Sequence, residues 1–291
     1  MPRERAKERE CEAAIKKTLS YSAIFKYPLS YSQLVTYLMT KHEYHYLFFN
    51  KQLRRLLKSK SIAVDKEKFF IPGNKPISWQ NRYKVSKDLI EKTQQNLSVL
   101  KKVPWIKLVA VTGSVAAHNA DKESDIDVFV IAQKNRLWLT RFFTFLLLKA
   151  VNLYPNKDGE TGKICANLYL DEENLVWPKD KRSVYIAHDI AMMQPIIHRD
   201  NVYFRFLQAN KWINDFLPNY KFEQVERTTP WVKGNSVLVN LVENLVMHIQ
   251  LMYMKRHQTT EVAKKHIIHF NKNDNAPRIL NEFSDLVAKL D

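Results

Sequence analysis

The chain has 291 residues, 45% of them hydrophobic and 26% charged, a balance that excludes a largely disordered protein and allows two or three domains. Its 46 Lys and Arg outnumber its 30 Asp and Glu, and the resulting +16 points to a polyanionic partner, nucleic acid before membrane. Cys11 and Cys165, the two cysteines, exclude a disulfide framework and a zinc quartet, so a reducing cytoplasm is the expected setting. Residues 1–12 are densely charged and carry no apolar secretory core.

Ala14, Ile15, Leu19 and Ile24 fall near helical spacing and predict a first helix over residues 11–25. Tyr27-Pro28 breaks it, and Ser30 is placed to cap a short helix ending near Met39. A third helix over residues 46–58 puts Leu47, Phe48, Leu53, Leu56 and Leu57 on one side. Its other side carries Lys51, Arg54, Arg55 and Lys58. Residues 62–64 and 69–71 flank a charged turn and read as a hairpin. Helices followed by a hairpin outline a winged-helix-like module over residues 1–75, whose basic helix would approach a nucleic-acid groove. The alternative is a small helical module that docks on the rest of the chain or on another protein.

Pro72, Gly73 and Pro76 mark a linker over residues 72–79. A second zone, residues 80–180, begins with a helix over 82–101 whose buried side is Val85, Leu89, Ile90, Leu97 and Leu100. Strands are predicted over 106–111, 126–131 and 164–170, with a buried helix over 137–153. The apolar run 142–148 in that helix is far short of the ~20 residues a membrane span needs. The third zone, residues 181–291, reads as mainly helical, with helices over 183–193, 202–216, 236–256 and 278–290. Within 236–256, Val237, Leu238, Leu241, Val242, Leu245 and Ile249 line one side, read as core or inter-domain packing and not as a membrane anchor.

Chemistry concentrates in the second zone. Residues 108–114 read Leu-Val-Ala-Val-Thr-Gly-Ser, and after ten more residues 125–131 read Asp-Ile-Asp-Val-Phe-Val-Ile. Gly113, one of five glycines, lets the backbone turn sharply and bring amides close to a phosphate. Ser114 adds a hydroxyl, and residues 115–120 can open a helix whose amino end favours anions. Residues two apart on a strand point the same way, so Asp125 and Asp127 project together while Ile126, Val128 and Val130 face the core. Two such carboxylates repel unless a cation lies between them. They suit Mg²⁺ or Mn²⁺, which takes oxygen ligands and brings substrate phosphates with it.

Gly113-Ser114, the ten-residue spacer and Asp125-Ile-Asp127 between apolar strands resemble the signature of the DNA polymerase beta superfamily of nucleotidyltransferases, over about residues 82–170. The resemblance implies that Gly113 and Ser114 hold the β- and γ-phosphates of a nucleoside triphosphate. It implies that Asp125 and Asp127 bind Mg²⁺ or Mn²⁺, and that a nucleoside monophosphate passes to a hydroxyl as pyrophosphate leaves. The amino-terminal region fits uncharacterised bacterial members that carry a winged-helix-like module. The family supplies a third carboxylate from the next strand, where the inward polar residue of this chain is Asn167, a weaker ligand than a carboxylate. Asn167 and, at the strand end, Asp171 are the candidates for that position.

His118 follows the Gly-Ser turn, and Lys122, Lys134, Arg136 and Arg141 surround the motif and could neutralise a triphosphate, although each taken alone reads as ordinary surface. His42 with His45 and His266 with His269 lack a completing Cys or acid cluster and read as surface or core residues. The expected fold class is α+β: a winged-helix-like module, a central nucleotidyltransferase α/β domain with a small mixed sheet, and a C-terminal helical region. The expected function is nucleotidyl transfer from a triphosphate to a nucleic-acid end, in the cytoplasm and off the membrane. A small-molecule or protein acceptor is the alternative within the enzyme class. Outside it stands a catalytically inactive nucleotide-binding sensor or a winged-helix DNA-binding regulator.

Overall fold

The computed structural model describes residues 2–73, 78–155, 161–222, 236–255, 262–269 and 275–289. Helix α1 (Pro2–Ile24) begins well before its first apolar residues, because the charged run before Cys11 contains no helix breaker after Pro2. It is followed by β1 (Leu29–Ser30), α2 (Tyr31–Thr36), α3 (Tyr46–Lys58), β2 (Ala63–Asp65) and β3 (Lys68–Phe70). Ser30 caps α2 in a reciprocal box: its hydroxyl accepts the Gln33 N–H at 3.2 Å, and its own N–H donates to the Gln33 side chain at 3.0 Å. The turn between β2 and β3 places Lys66 and Glu67 at φ 45° and 62°, the left-handed pair that matches the twist of a tight hairpin. The sequence gives no sign of β1, which is only two residues long but joins β3 to make a β1-β3-β2 sheet. Ile15, Leu19, Leu34, Leu38 and Leu56 are among the residues of this region's own core.

Next come α4 (Trp79–Asn96), with a 3₁₀ turn at Leu97–Lys102, then β4 (Ile106–Val111), α5 (Gly113–Ala116), β5 (Ile126–Ala132), α6 (Leu137–Ala150) and β6 (Ile164–Asp171). The remainder holds α7 (Val184–Met192), β7 (Gln194–His198), α8 (Val202–Ala209), α9 (Val237–Lys255), β8 (Val262–Lys264), β9 (Ile267–His269) and α10 (Ala276–Ala288). α8 stops short of the expected residue 216 at Asn210. That fully buried amide accepts the Trp177 N–H at 2.8 Å and donates to Leu175 and Phe206 carbonyls at 2.7 and 2.8 Å. The middle of the expected linker, residue 256 of the expected helix over 236–256 and residue 290 of the last helix lie outside the described residues.

One mixed sheet in the order β7-β4-β5-β6-β9-β8 organises the chain, with β5 and β6 parallel and joined through α6. The protein is of the α+β class. The sheet runs past residue 180, where a boundary was expected, because β7, β8 and β9 complete it. Val109, Val128, Val130 and Trp138 belong to the core on one face, Leu108, Phe129, Ile131 and Phe206 to the core on the other. Tyr21 of α1 and Met39 enter the second core, so the amino-terminal region is fastened to the sheet.

Helix α9 departs from expectation. Val237, Leu238, Leu241, Val242, Leu245 and Ile249, expected to pack, are 41–75% exposed. α9 packs on α6 through its other side, and the reason is polar. No side chain beside α6 in sequence caps its first turn, leaving free amides there. The buried Glu243 carboxylate accepts the Trp138 and Leu139 N–H groups at 2.8 and 3.0 Å, and Arg136 donates to Asn240 at 2.7 Å.

Candidate active site

Strand β4 is buried along its whole length and delivers Thr112, whose N–H donates to the Asp127 carbonyl at 2.9 Å and ties the turn to β5. Gly113 has φ +65°, and a Cβ built on it would lie 2.9 Å from Asp127 Oδ2. Glycine is therefore needed twice, by the left-handed backbone and by the carboxylate beneath it. α5 is a single turn that closes at Ala117, and His118 at φ 56° ends it, so the anion-favouring helix expected over 115–120 does not form. An anion here would meet the amides of a tight turn and little helix dipole. The Gly113 N–H donates to Asp189 Oδ1 at 3.1 Å, and Ser114 is exposed.

Asp125 precedes β5 and Asp127 is its second residue, and parallel pairing sets Cys165 of β6 opposite Asp127. Ligand atoms of Asp125, Asp127 and Cys165 lie within 4.8 Å of one another, each residue partly buried. β6 then carries one extra residue: Val128 pairs with Ala166 and Phe129 with Leu168, which leaves Asn167 in a bulge. The bulge aims its amide at the cluster, and Asn167 Nδ2 donates to Asp127 Oδ1 at 2.8 Å.

Asp171, the other candidate third ligand, is not brought there. It pairs with Ala132 at the far end of β5, about 16 Å from Asp127 at ~3.3 Å per residue. Fully buried, it accepts the Asn135 and Glu173 N–H groups at 2.7 and 2.9 Å and lies 3.5 Å from His266 Nδ1. Burial raises its pKa above the usual carboxylate range, against the pull of those two amides. Its role is to fasten the loop between β5 and α6.

The candidate cations lie mostly elsewhere, in keeping with their reading as ordinary surface for all but the buried Arg136. Lys134 pairs with Glu173, Arg136 with Asn240 and Arg141 with Gln250, all around α6 rather than the turn. Lys122 is exposed in the loop before Asp125. His118 Nε2 sits 3.3 Å from Gln194 Nε2 with its ring 5.0 Å from that of Tyr83, and burial lowers its pKa.

Asp189 is the site residue that the sequence reading missed. It lies on α7, 76 positions beyond Gly113, and its one signal is an acid beside His188 in the mainly apolar helix Val184–Met192. Burial raises its pKa, opposed by the Gly113 amide. Its neighbour His188 is buried, stacks on Tyr21 at 4.3 Å and has its pKa lowered to about 4 by burial, so it is neutral at pH 7. Beside them opens a cavity of about 330 Å³, which Gly113, Ser114 and Asp127 bound on one side. Tyr21, Tyr37 and Arg278 bound it elsewhere.

Two carboxylates at one open cluster suit a hard divalent ion that keeps positions for water and phosphate, whereas the Cys165 thiol is too soft to add to Mg²⁺. A glycine turn set over an aspartate near the start of β5, with a second aspartate just before that strand, is an arrangement that can hold a phosphate and a metal ion. Residues 92–227 match the family model described as a nucleotidyltransferase domain. The chain carries such a domain, consistent with a DNA polymerase beta-like nucleotidyltransferase. No curated protein matches the chain.

Proposed function

We propose that the protein moves a nucleoside monophosphate from a nucleoside triphosphate to an acceptor hydroxyl. Gly113 and Ser114 hold the β- and γ-phosphates, and Asp125 and Asp127 hold Mg²⁺ or Mn²⁺. The observation that carries this reading is the seat of Gly113 over Asp127, with no room for a side chain between them. When bound, the ion offsets the phosphate charge and steadies the entering and leaving oxygens. Asn167 keeps Asp127 in orientation, and Asp189 holds the Gly113 amide until a phosphate oxygen takes it. The acceptor oxygen bonds to the α-phosphorus, the bond from that phosphorus to the β-bridging oxygen breaks, pyrophosphate leaves, and the hydroxyl proton passes to water.

The acceptor we favour is a nucleic-acid end. Support comes from the +16 charge and from Arg54 and Lys58, exposed on α3. Lys51 and Arg55 on the same helix already pair with Glu8, at 2.9 and 3.3 Å. A reducing cytoplasm suits Cys11 and Cys165, which form no disulfide. A second reading, a small hydroxyl acceptor, is favoured by the cavity, whose 330 Å³ lies at the lower end of the ~300–1,000 Å³ of small-molecule sites.

The test offers each α-labelled triphosphate with Mg²⁺ or Mn²⁺ to RNA, DNA and small hydroxyl compounds, against Asp125→Ala/Asp127→Ala protein. Label should move only with wild type. Metal-dependent triphosphate binding without transfer would replace this reading with the inactive sensor. Equal transfer by the double variant would remove the aspartates from the site. Acceptor binding that weakens steeply with salt marks nucleic acid, and a flat dependence marks the small acceptor.

A further inference from the structure

Helix α9 has two apolar sides, and among the described residues only one is packed. Val246, Met247, Leu251 and Met254 face the sheet's core. On the opposite side stand Leu238, Val242, Leu245, Ile249 and Met252, exposed by 70, 41, 60, 58 and 71%. Their spacings alternate four, three, four, three, which is a repeat of 3.5 residues and not the 3.6 of a helix lying on a globular core. Within the repeat, β-branched Val242 and Ile249 occupy one position, and Leu238, Leu245 and Met252 the other. That division favours two-stranded pairing.

Charge and area point the same way. Glu243, the only Asp, Glu, Lys or Arg between Val237 and Met254, is buried against α6, so the open side carries no formal charge in a chain of +16. It is a place where two such cations can meet without opposed charges. Val237, Leu241 and Tyr253, exposed by 75, 62 and 70%, flank the seam. Together the eight side chains offer on the order of 500 Å² of apolar surface. Two copies then bury roughly 1,000 Å², the size a specific interface requires. The helix Val237–Met254 also has the length and apolarity to cross a bilayer. Crossing would strip Glu243 from the amides of Trp138 and Leu139 and carry its carboxylate into hydrocarbon.

We infer that α9 is a self-association surface: a second copy of this chain lays its own α9 along the seam about a twofold axis, so that both α6–α9 pairs form one layer of four helices. Leu245 is the midpoint of the five seam positions, so a twofold axis through the middle of the seam sets it beside its own copy whichever way the helices run. The test is sedimentation of the full chain from about 1 to about 100 μM. The expected mass is twice 34.4 kDa. Leu245→Asn/Ile249→Gln should weaken association by about 100-fold. Leu245→Cys should form a disulfide-linked dimer on mild oxidation while melting like wild type. A single Val242→Cys variant that links to itself indicates parallel helices, and one that links only to Ile249→Cys protein indicates antiparallel helices; either supports the pairing. A monomer throughout, without the Leu245→Cys cross-link, overturns it. So does a monomer that binds phosphatidylcholine vesicles through the same seam.

Discussion

Position 113 joins backbone and carboxylate in one constraint. Gly113→Ala places a methyl where the Cβ contact with Asp127 Oδ2 is 2.9 Å, at a φ of +65°. The left-handed backbone costs about 1–2 kcal/mol, and the carboxylate must also shift from its cluster. A shift of this kind in a positioned ligand costs on the order of 100-fold in rate. The expected outcome is that loss of transfer with only a small fall in melting temperature, and full activity would mean that the phosphates sit elsewhere. Asn167 offers the opposite change. Asn167→Asp replaces the donor 2.8 Å from Asp127 Oδ1 with a third carboxylate. Without a cation the like charges repel, so the variant should melt lower than wild type in chelator. Mg²⁺ should raise its melting temperature by more than it raises that of wild type. An equal rise in both would show that residue 167 does not face the ion.

At the scale of elements, the amino end of α6 depends on a residue of α9. Glu243→Ala leaves the Trp138 and Leu139 amides buried without acceptors and should cost about 2–5 kcal/mol in a denaturant titration. Glu243→Gln, which keeps one accepting oxygen, should cost less; equal losses would show that packing, not acceptance, is what Glu243 supplies. On α7, burial holds His188 at a pKa of about 4 against its ordinary 6.5. The unfolded chain therefore binds more protons between these values, so this residue's contribution is full above pH 6.5 and falls away as the pH drops through 4. The loss approaches about 3 kcal/mol. Asp171, Asp189 and Glu243, with raised pKa values, work in the opposite sense on acidification. The difference between wild type and His188→Phe isolates the histidine: wild type should lose stability relative to the variant from pH 6.5 to 4. A constant difference would place a charged or solvated imidazole at 188.

How far these elements can be read from sequence follows from their length and pairing. α3 and β4, β5 and β6 show in the spacing of their own apolar residues. β1, β7, β8 and β9 are two to five residues long and are strands only because a partner fixes them. α9 was misread because apolar spacing marks a stripe without saying which of two stripes meets the core. In the candidate site, Gly113, Ser114, Asp125 and Asp127 lie close enough in the chain for spacing to suggest them. The reach of Asn167 depends on a bulge, and that of Asp189 on the packing of α7, neither of which is written in local pattern.

For the whole molecule, the question is whether the amino-terminal region moves as an arm or stands as a wall. Its own core is separate, yet Tyr21 and Met39 are 4% and 7% exposed within the core that α7, α8 and α10 share. Tyr21 meets His188 and Phe283 edge or face on, at ring separations of 4.3 and 5.3 Å. The Asn119 side chain, just past the Gly113 turn, donates to the Phe25 carbonyl at 3.0 Å. Each buried aromatic or Met side chain of this kind is worth roughly 1.5–3 kcal/mol, a large part of the ~5–15 kcal/mol that a folded chain retains. The region should therefore unfold together with the sheet. Calorimetry of the full chain is expected to give one transition with equal calorimetric and van't Hoff enthalpies. A nucleic acid gripped by α3 would then be held at a fixed offset from Asp127, and length selection of the acceptor would follow from that offset. Two separated transitions would instead make the region an arm that carries its basic helix independently of the site.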